Sequence, residues 1–160
     1  MSLELAAIHE AGHGVVAYYL LRPMALAIYE DGTGQAGPTV KADTPPLNRS
    51  NEETGAMYRG RPVAALLDDA AIIAGGCVAE AIMAYDPVPT VRRSDRVALD
   101  ACCRELFPDA DHPAVVAFGA LAVARARSLL SVNWPKVERV AAALLEKRYL
   151  PAVEIDKLML

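Results

Sequence analysis

Alanine, leucine and valine dominate residues 3–21 with no proline among them, and the run predicts a helix that Pro23 ends. Residues 24–29 are short and apolar, and residues 30–38 are rich in glycine, which predicts a strand and then a turn. A second strand is expected near residues 39–42. Pro45, Pro46, Asn48, Ser50, Asn51, Gly55, Gly60 and Pro62 punctuate residues 43–62 and predict an exposed loop. A long helical pattern covers residues 63–85, and Pro87 and Pro89 break it over residues 86–90. Ser94 is expected to cap a helix running to about residue 107, with Asp95 in its first turn. After a connector at residues 108–113, residues 114–130 read as another helix. Asn133 and Pro135 open the last one, which is expected to run to about residue 149. No repeat or second domain interrupts this order. The fold class is mainly α, one domain over residues 1–160, with a small β element near the N-terminus.

The 160 residues suit one domain with a real core. Hydrophobic residues reach 54% against 22% charged, which excludes a disordered chain. Twenty acidic against 16 basic side chains leave a net charge of −4, which argues against a nucleic-acid partner held by phosphate neutralisation. The longest uncharged runs near the middle and end of the chain, residues 70–79 and 114–124, fall short of the ~18–20 apolar residues that cross a bilayer, so no membrane span is expected. Nor is a signal peptide, since the first residues carry no basic stretch. Cys77, Cys102 and Cys103 are odd in number, two of them are adjacent, and no Cys-x-x-Cys occurs. They predict buried packing residues in a reducing, cytoplasmic compartment. The high alanine content suggests tight helix packing and a face for self-association.

The chemistry concentrates in His9-Glu10-Ala11-Gly12-His13. Four residues apart on a helix, the two imidazoles project from one face, close enough to reach one Zn²⁺ at ~2.0–2.1 Å. Glu10 lies about 100° round the helix from His9, where it can take a proton from metal-activated water without being a ligand. A chance His-Glu-x-x-His is expected in well under ~1% of chains of this size. Two histidines and a glutamate in an apolar helix are costly unless something holds them. A catalytic zinc needs a third protein ligand and an open position. An extended His-x-x-Gly-x-x-His continuation fails, because Val16 and Tyr19 stand at its positions, and Glu30 lies in a turn. The remaining acids are chiefly Glu80, Asp95 and Asp100.

His9-Glu10-Ala11-Gly12-His13 followed by Val15-Val16 resembles the zinc-peptidase domain of the FtsH-type ATP-dependent membrane proteases. Gly75-Gly76-Cys77-Val78-Ala79-Glu80 is similar to that family's Gly-Gly-Arg-Ala-Ala-Glu helix, and Ser94-Asp95 followed by Ala98 to its Ser/Asn-Asp segment. Residues 134–155, with Ala143-Leu144-Leu145-Glu146, resemble its last helix. The resemblance implies a compact, helical, zincin-like domain with His9, His13 and Asp95 as zinc ligands and Glu10 as general base. It implies further that Glu80 is a partner of a ligating imidazole, and that a substrate peptide docks on an edge strand at residues 24–29, through Ala27, Ile28 and Tyr29. Gly75 and Gly76, each costing ~1 kcal/mol in a helix relative to alanine, are expected where the active-site helix approaches closely.

The sequence departs from that family in several places. Cys77 stands where the family has arginine, Arg96 follows Asp95, and no Gly-Met-Ser segment follows the third-ligand helix. No Walker A loop occurs in these residues, so the resemblance extends to the peptidase domain alone. The function expected is zinc-dependent endopeptidase hydrolysis of unfolded or short peptides, with a separate unfoldase or self-association supplying what the ATPase otherwise does. The alternative is a metallopeptidase-like binding or regulatory module without catalysis. His112 reads as an exposed loop residue, Trp134 as a core anchor, and Arg59, Arg61, Arg92, Arg93 and Arg96 as a solvated basic face.

Overall fold

The computed structural model describes residues 2–42, 51–109 and 113–160. His112 lies outside these residues. The N-terminal run folds as α1 (Leu3–Tyr19), started by Ser2, whose hydroxyl accepts from the Leu5 amide at 3.2 Å. Every residue from Ala6 to Ala17 is buried, as a helix apolar on all sides requires. It is the central rod of the fold. The long helix α3 (Val63–Met83) packs along it, with α5 (Pro113–Val132) and α6 (Trp134–Lys147) also against it. The main core of Val15, Val16, Leu26, Val78, Leu130 and Val140 lies between these elements.

The small β element is a three-stranded antiparallel sheet of β1 (Ala25–Ile28), β2 (Gly34–Gly37) and β3 (Tyr149–Leu150), in the order β2-β1-β3. The second strand therefore lies at Gly34–Gly37 rather than at residues 39–42. The turn needs fewer residues than expected, because the Asp31 carboxylate accepts from the Thr33 amide and hydroxyl while Gly32 takes a positive φ of 78°. The sheet also corrects the edge-strand expectation for Ala27, Ile28 and Tyr29. β1 is the central strand: Ala27 pairs with Gln35 on one side and with Tyr149 on the other. Among the described residues the outer edge of the N-terminal hairpin belongs to β2.

Three further corrections concern helix ends. Residues 43–50 lie outside the description, but the rest of the expected loop contains α2 (Asn51–Ala56) and the buried Tyr58, which joins Leu66, Cys102 and Phe118 in a second apolar cluster. The helix α4 (Arg93–Leu106) is capped by Arg92 rather than Ser94, since the backbone turns helical one residue before the serine; Asp95 is in its first turn. The last helix stops at Lys147, where Arg148 enters the left-handed region at φ 64°. The chain then forms β3 and, after Pro151, α7 (Ala152–Leu158), so residues 134–155 are two helices and a strand rather than one helix.

By length and composition α5 is long and apolar enough to cross a bilayer, the one such helix among the described residues. Arg125 and Arg127 interrupt its uncharged run but not the helix. Arg125 pairs with Asp68 at 2.6 Å, and Arg127 donates to the carbonyls of Asp86 and Pro87. The basic face is also smaller than expected, because Arg61 pairs with Asp69 at 2.6 Å and Arg92 with Glu80. All three cysteines are free and buried.

Gly12 and Gly75 let α1 and α3 meet backbone to backbone. A Cβ on Gly75 would lie 2.7 Å from the Gly12 carbonyl oxygen, and one on Gly12 would lie 2.7 Å from the Ala79 Cβ. Gly119, in α5, has nothing within 4 Å of such an atom. Gly12→Ala is therefore expected to destabilise the fold by about 3 kcal/mol, because neither backbone can yield. Gly119→Ala is expected to stabilise it by about 0.5–1 kcal/mol through helix propensity alone. Urea unfolding of the two variants measures the contrast, and equal effects would contradict the packing described.

Candidate metal centre

His9 and His13 stand one turn apart on α1 and face α3. The side of α3 that they face is built from residues spaced by four, so its groups stack along one stripe. At one end the Ile72 carbonyl accepts from His13 Nδ1 at 2.7 Å. At the other, Glu80 Oε1 accepts from His9 Nδ1 at 2.5 Å. Between them sits Gly76, where a Cβ would fall 2.5 Å from each imidazole Nε2. The glycine leaves the space into which both nitrogens point.

With each Nδ1 donating, a neutral ring presents a bare lone pair at Nε2. The two Nε2 atoms lie 3.0 Å apart, so two lone pairs face one another unless a cation stands between them. Asp95, from the first turn of α4, brings its Oδ2 to 3.1 Å from His9 Nε2 and 3.9 Å from His13 Nε2. That oxygen is buried and has no hydrogen-bond partner, so its closeness to His9 is not a hydrogen bond along an N–H. The three atoms surround a common point instead. Tetrahedral ligands at ~2.0–2.1 Å from zinc are about 3.3 Å apart, and the three separations straddle that value. A donor set of two imidazoles and one carboxylate suits zinc better than magnesium or calcium, which favour oxygen. The residues fit the ion.

The electrostatics describe the same competition between a proton and a metal. Burial alone would lower the pKa of His9, but the carboxylates of Asp95 and Glu80 flanking the ring, with the charge of Glu10, raise it to about 9. His13 is lowered, because burial outweighs the nearby charge of Asp95. Burial works to raise Asp95, yet the two imidazoles and Arg92 outweigh it and hold the acid below its usual range. Glu10 is 4% exposed and is pushed up to about 8, mainly by burial. Its side chain rests on β2, where a Cβ at Gly34 would lie 2.5 Å from both its Cγ and its Oε1.

The structure brings together His9, His13 and Asp95, with Glu80 on the far side of the His9 ring and Glu10 on the neighbouring face of the same helix. Ala27 and Ile28 are in the central strand, and Tyr29 follows it. Sequence reasoning missed four contributors: the Ile72 carbonyl, the space at Gly76, the contact at Gly34 and Arg92. The first has no side-chain signature at all. The glycines are visible as glycines, but only the packing says what they make room for. Cys77 lies beside this site in sequence, yet its thiol is pushed up to about 12 by burial and donates to the Ala74 carbonyl, which makes it a packing residue. No protein-family model and no curated protein matches the chain.

Because a metal would take the neutral ring as its ligand, the proton on His9 would compete with it at every pH below about 9. Zinc affinity is expected to rise by tenfold or more per unit between about pH 6 and 8, with at least one proton released per ion bound. Chelator competition gives the slope, and titration calorimetry in two buffers of different ionisation enthalpy gives the proton count. A flat profile would show that no protonated imidazole is displaced.

Proposed function

We propose that this chain is a zinc-dependent endopeptidase of the FtsH peptidase type, acting on unfolded or short peptides. The observation that carries the reading is the convergence of two imidazole Nε2 atoms and a buried, unpartnered Asp95 oxygen on one point, next to a buried glutamate on the same helix. His9, His13 and Asp95 would hold the ion. Zinc bound there supplies a Lewis acid that polarises a peptide carbonyl and brings the pKa of a water down toward ~7. Glu10 then takes the proton on its carboxylate and delivers it to the leaving amine. A carboxyl group near 8 before the ion binds is suited to both tasks, because it takes and gives a proton close to neutral pH.

The free edge of β2 supports the substrate class. Gly34–Gly37 is the outer strand of the sheet, and Gly34 touches the Glu10 side chain. An extended peptide adding to that edge by main-chain hydrogen bonds would run past the base. A folded protein has to open before it offers such a strand, so the substrates are unfolded or short, or a separate unfoldase delivers them.

Zinc-loaded protein is expected to cleave unfolded casein. Glu10→Gln should lose at least ~10²-fold in rate while binding zinc like the parent. Gly34→Ala should also retain zinc but lose activity, since its methyl group displaces the Glu10 carboxylate. Cleavage by the parent no greater than by Glu10→Gln would overturn the peptidase reading and leave the regulatory module in its place.

A further inference from the structure

Arg92 enters the site above only as a charge near Asp95. It caps α4 with its backbone, and no side chain caps that helix. Its guanidinium Nη2 donates to Glu80 Oε1, the same oxygen that accepts from His9 Nδ1. One carboxylate oxygen therefore links three helices: the ring of a candidate ligand on α1, its own backbone on α3 and the start of α4. Asp95 is three residues after Arg92, so the arginine stands one turn before the third ligand. The surroundings offer that turn little other support. Arg93, Ser94 and Arg96 are exposed, and Val91 is the neighbouring apolar residue that packs against the core.

We propose that Arg92 is a positioning residue of the metal centre, which through Glu80 sets the orientation of the His9 ring and the distance of Asp95 from it. The inference rests on the metal reading above. An ammonium on a lysine could supply the charge, but only the planar guanidinium presents several N–H donors in a fixed fork. The arginine thus fixes where the Glu80 oxygen lies as well as its charge. With that oxygen fixed, His9 Nδ1 has one acceptor direction, and Nε2 is aimed at the space above Gly76. Without Arg92 the carboxylate is free to rotate, and the first turn of α4 loses its polar tie to α3.

The test is zinc affinity of the full chain by chelator competition, with cobalt as a spectroscopic substitute. Arg92→Ala is expected to weaken zinc binding by about 10–100-fold, the range for residues that orient a ligand, and to weaken the tetrahedral cobalt bands. Arg92→Lys should recover part of the loss. Because Arg92 acts through Glu80, Arg92→Ala in a Glu80→Gln background should cost less than about twofold more. The metal-free melting temperature should move by about 3 °C or less, as for a partly exposed ion pair. Arg92→Ala binding zinc within about twofold of the parent, full additivity with Glu80→Gln, or a larger fall in metal-free stability would each overturn the inference while leaving the zinc reading intact. A parent chain that binds no zinc would instead overturn the zinc reading and this inference with it.

Discussion

The close approach of α1 and α3 governs everything built around the candidate centre. At Gly12 and Gly75 no side chain separates the two backbones, and a methyl group at either position meets main chain or a neighbouring Cβ. That contact sets the depth at which His9 and His13, on either side of Gly12, meet the other helix. Opposite them, residues 72, 76 and 80 follow one another at intervals of four, about 6 Å along the helix at each step. A carbonyl, an empty space and a carboxylate are thus presented in a row. Two imidazoles one turn apart match that row in spacing. The site is a consequence of helix pitch once the helices are allowed this near.

Such a site must balance its charges, because few of its groups reach water. With the His9 ring protonated, its charge and that of Arg92 offset the carboxylates of Glu80 and Asp95, while Glu10, pushed up to about 8, is uncharged at neutral pH. The metal-free protein is then tolerable as folded: one proton occupies the gap between opposed nitrogens. Exchanging that proton for a divalent ion adds one positive charge, and ionised Glu10 supplies the compensating negative one. The residue that burial makes a weak acid is thus the one whose ionisation a bound ion favours. A buried acid and a candidate ligand set on the same helix would be coupled in this way without any contact between them.

The helices were legible in the amino-acid sequence because their signals are local. The spacing of His9 and His13 and the pairing of Gly75 with Gly76 each lie within two turns, and the freedom from proline before Pro23 lies within one element. The resemblance to a zinc-peptidase domain also pointed to Asp95, which spacing alone left open among three acids. What escaped the reading depends on partners far along the chain. Gly34–Gly37 contains no β-branched residue and becomes a strand because β1 pairs with it. Arg148 carries no sign of the left-handed turn that ends α6, since arginine has no preference for it. Arg92 looked like one of several surface cations, and only the fold brings Glu80 to it across 12 residues. The central position of β1 has the same origin, because its second neighbour arrives from residues 149–150.

That second neighbour explains why so short a hairpin holds its place. Two four-residue strands are marginal alone, and β2 has little side chain with which to pack. The pairing of Leu26 and Ala27 with Leu150 and Tyr149 ties β1 to the end of the chain, where Leu150, Ile155 and Met159 are buried in the main core. The Tyr149 hydroxyl donates to the Val40 carbonyl at 3.3 Å, so the segment just past β2 is held from the same side. The C-terminal residues thus fix the hairpin on one side, while among the described residues no strand pairs with its outer edge. Gly34, at the start of β2, is thereby held against Glu10 by contacts made more than a hundred residues later in the chain. Glu10 is positioned by the strand, and the strand by the C-terminus.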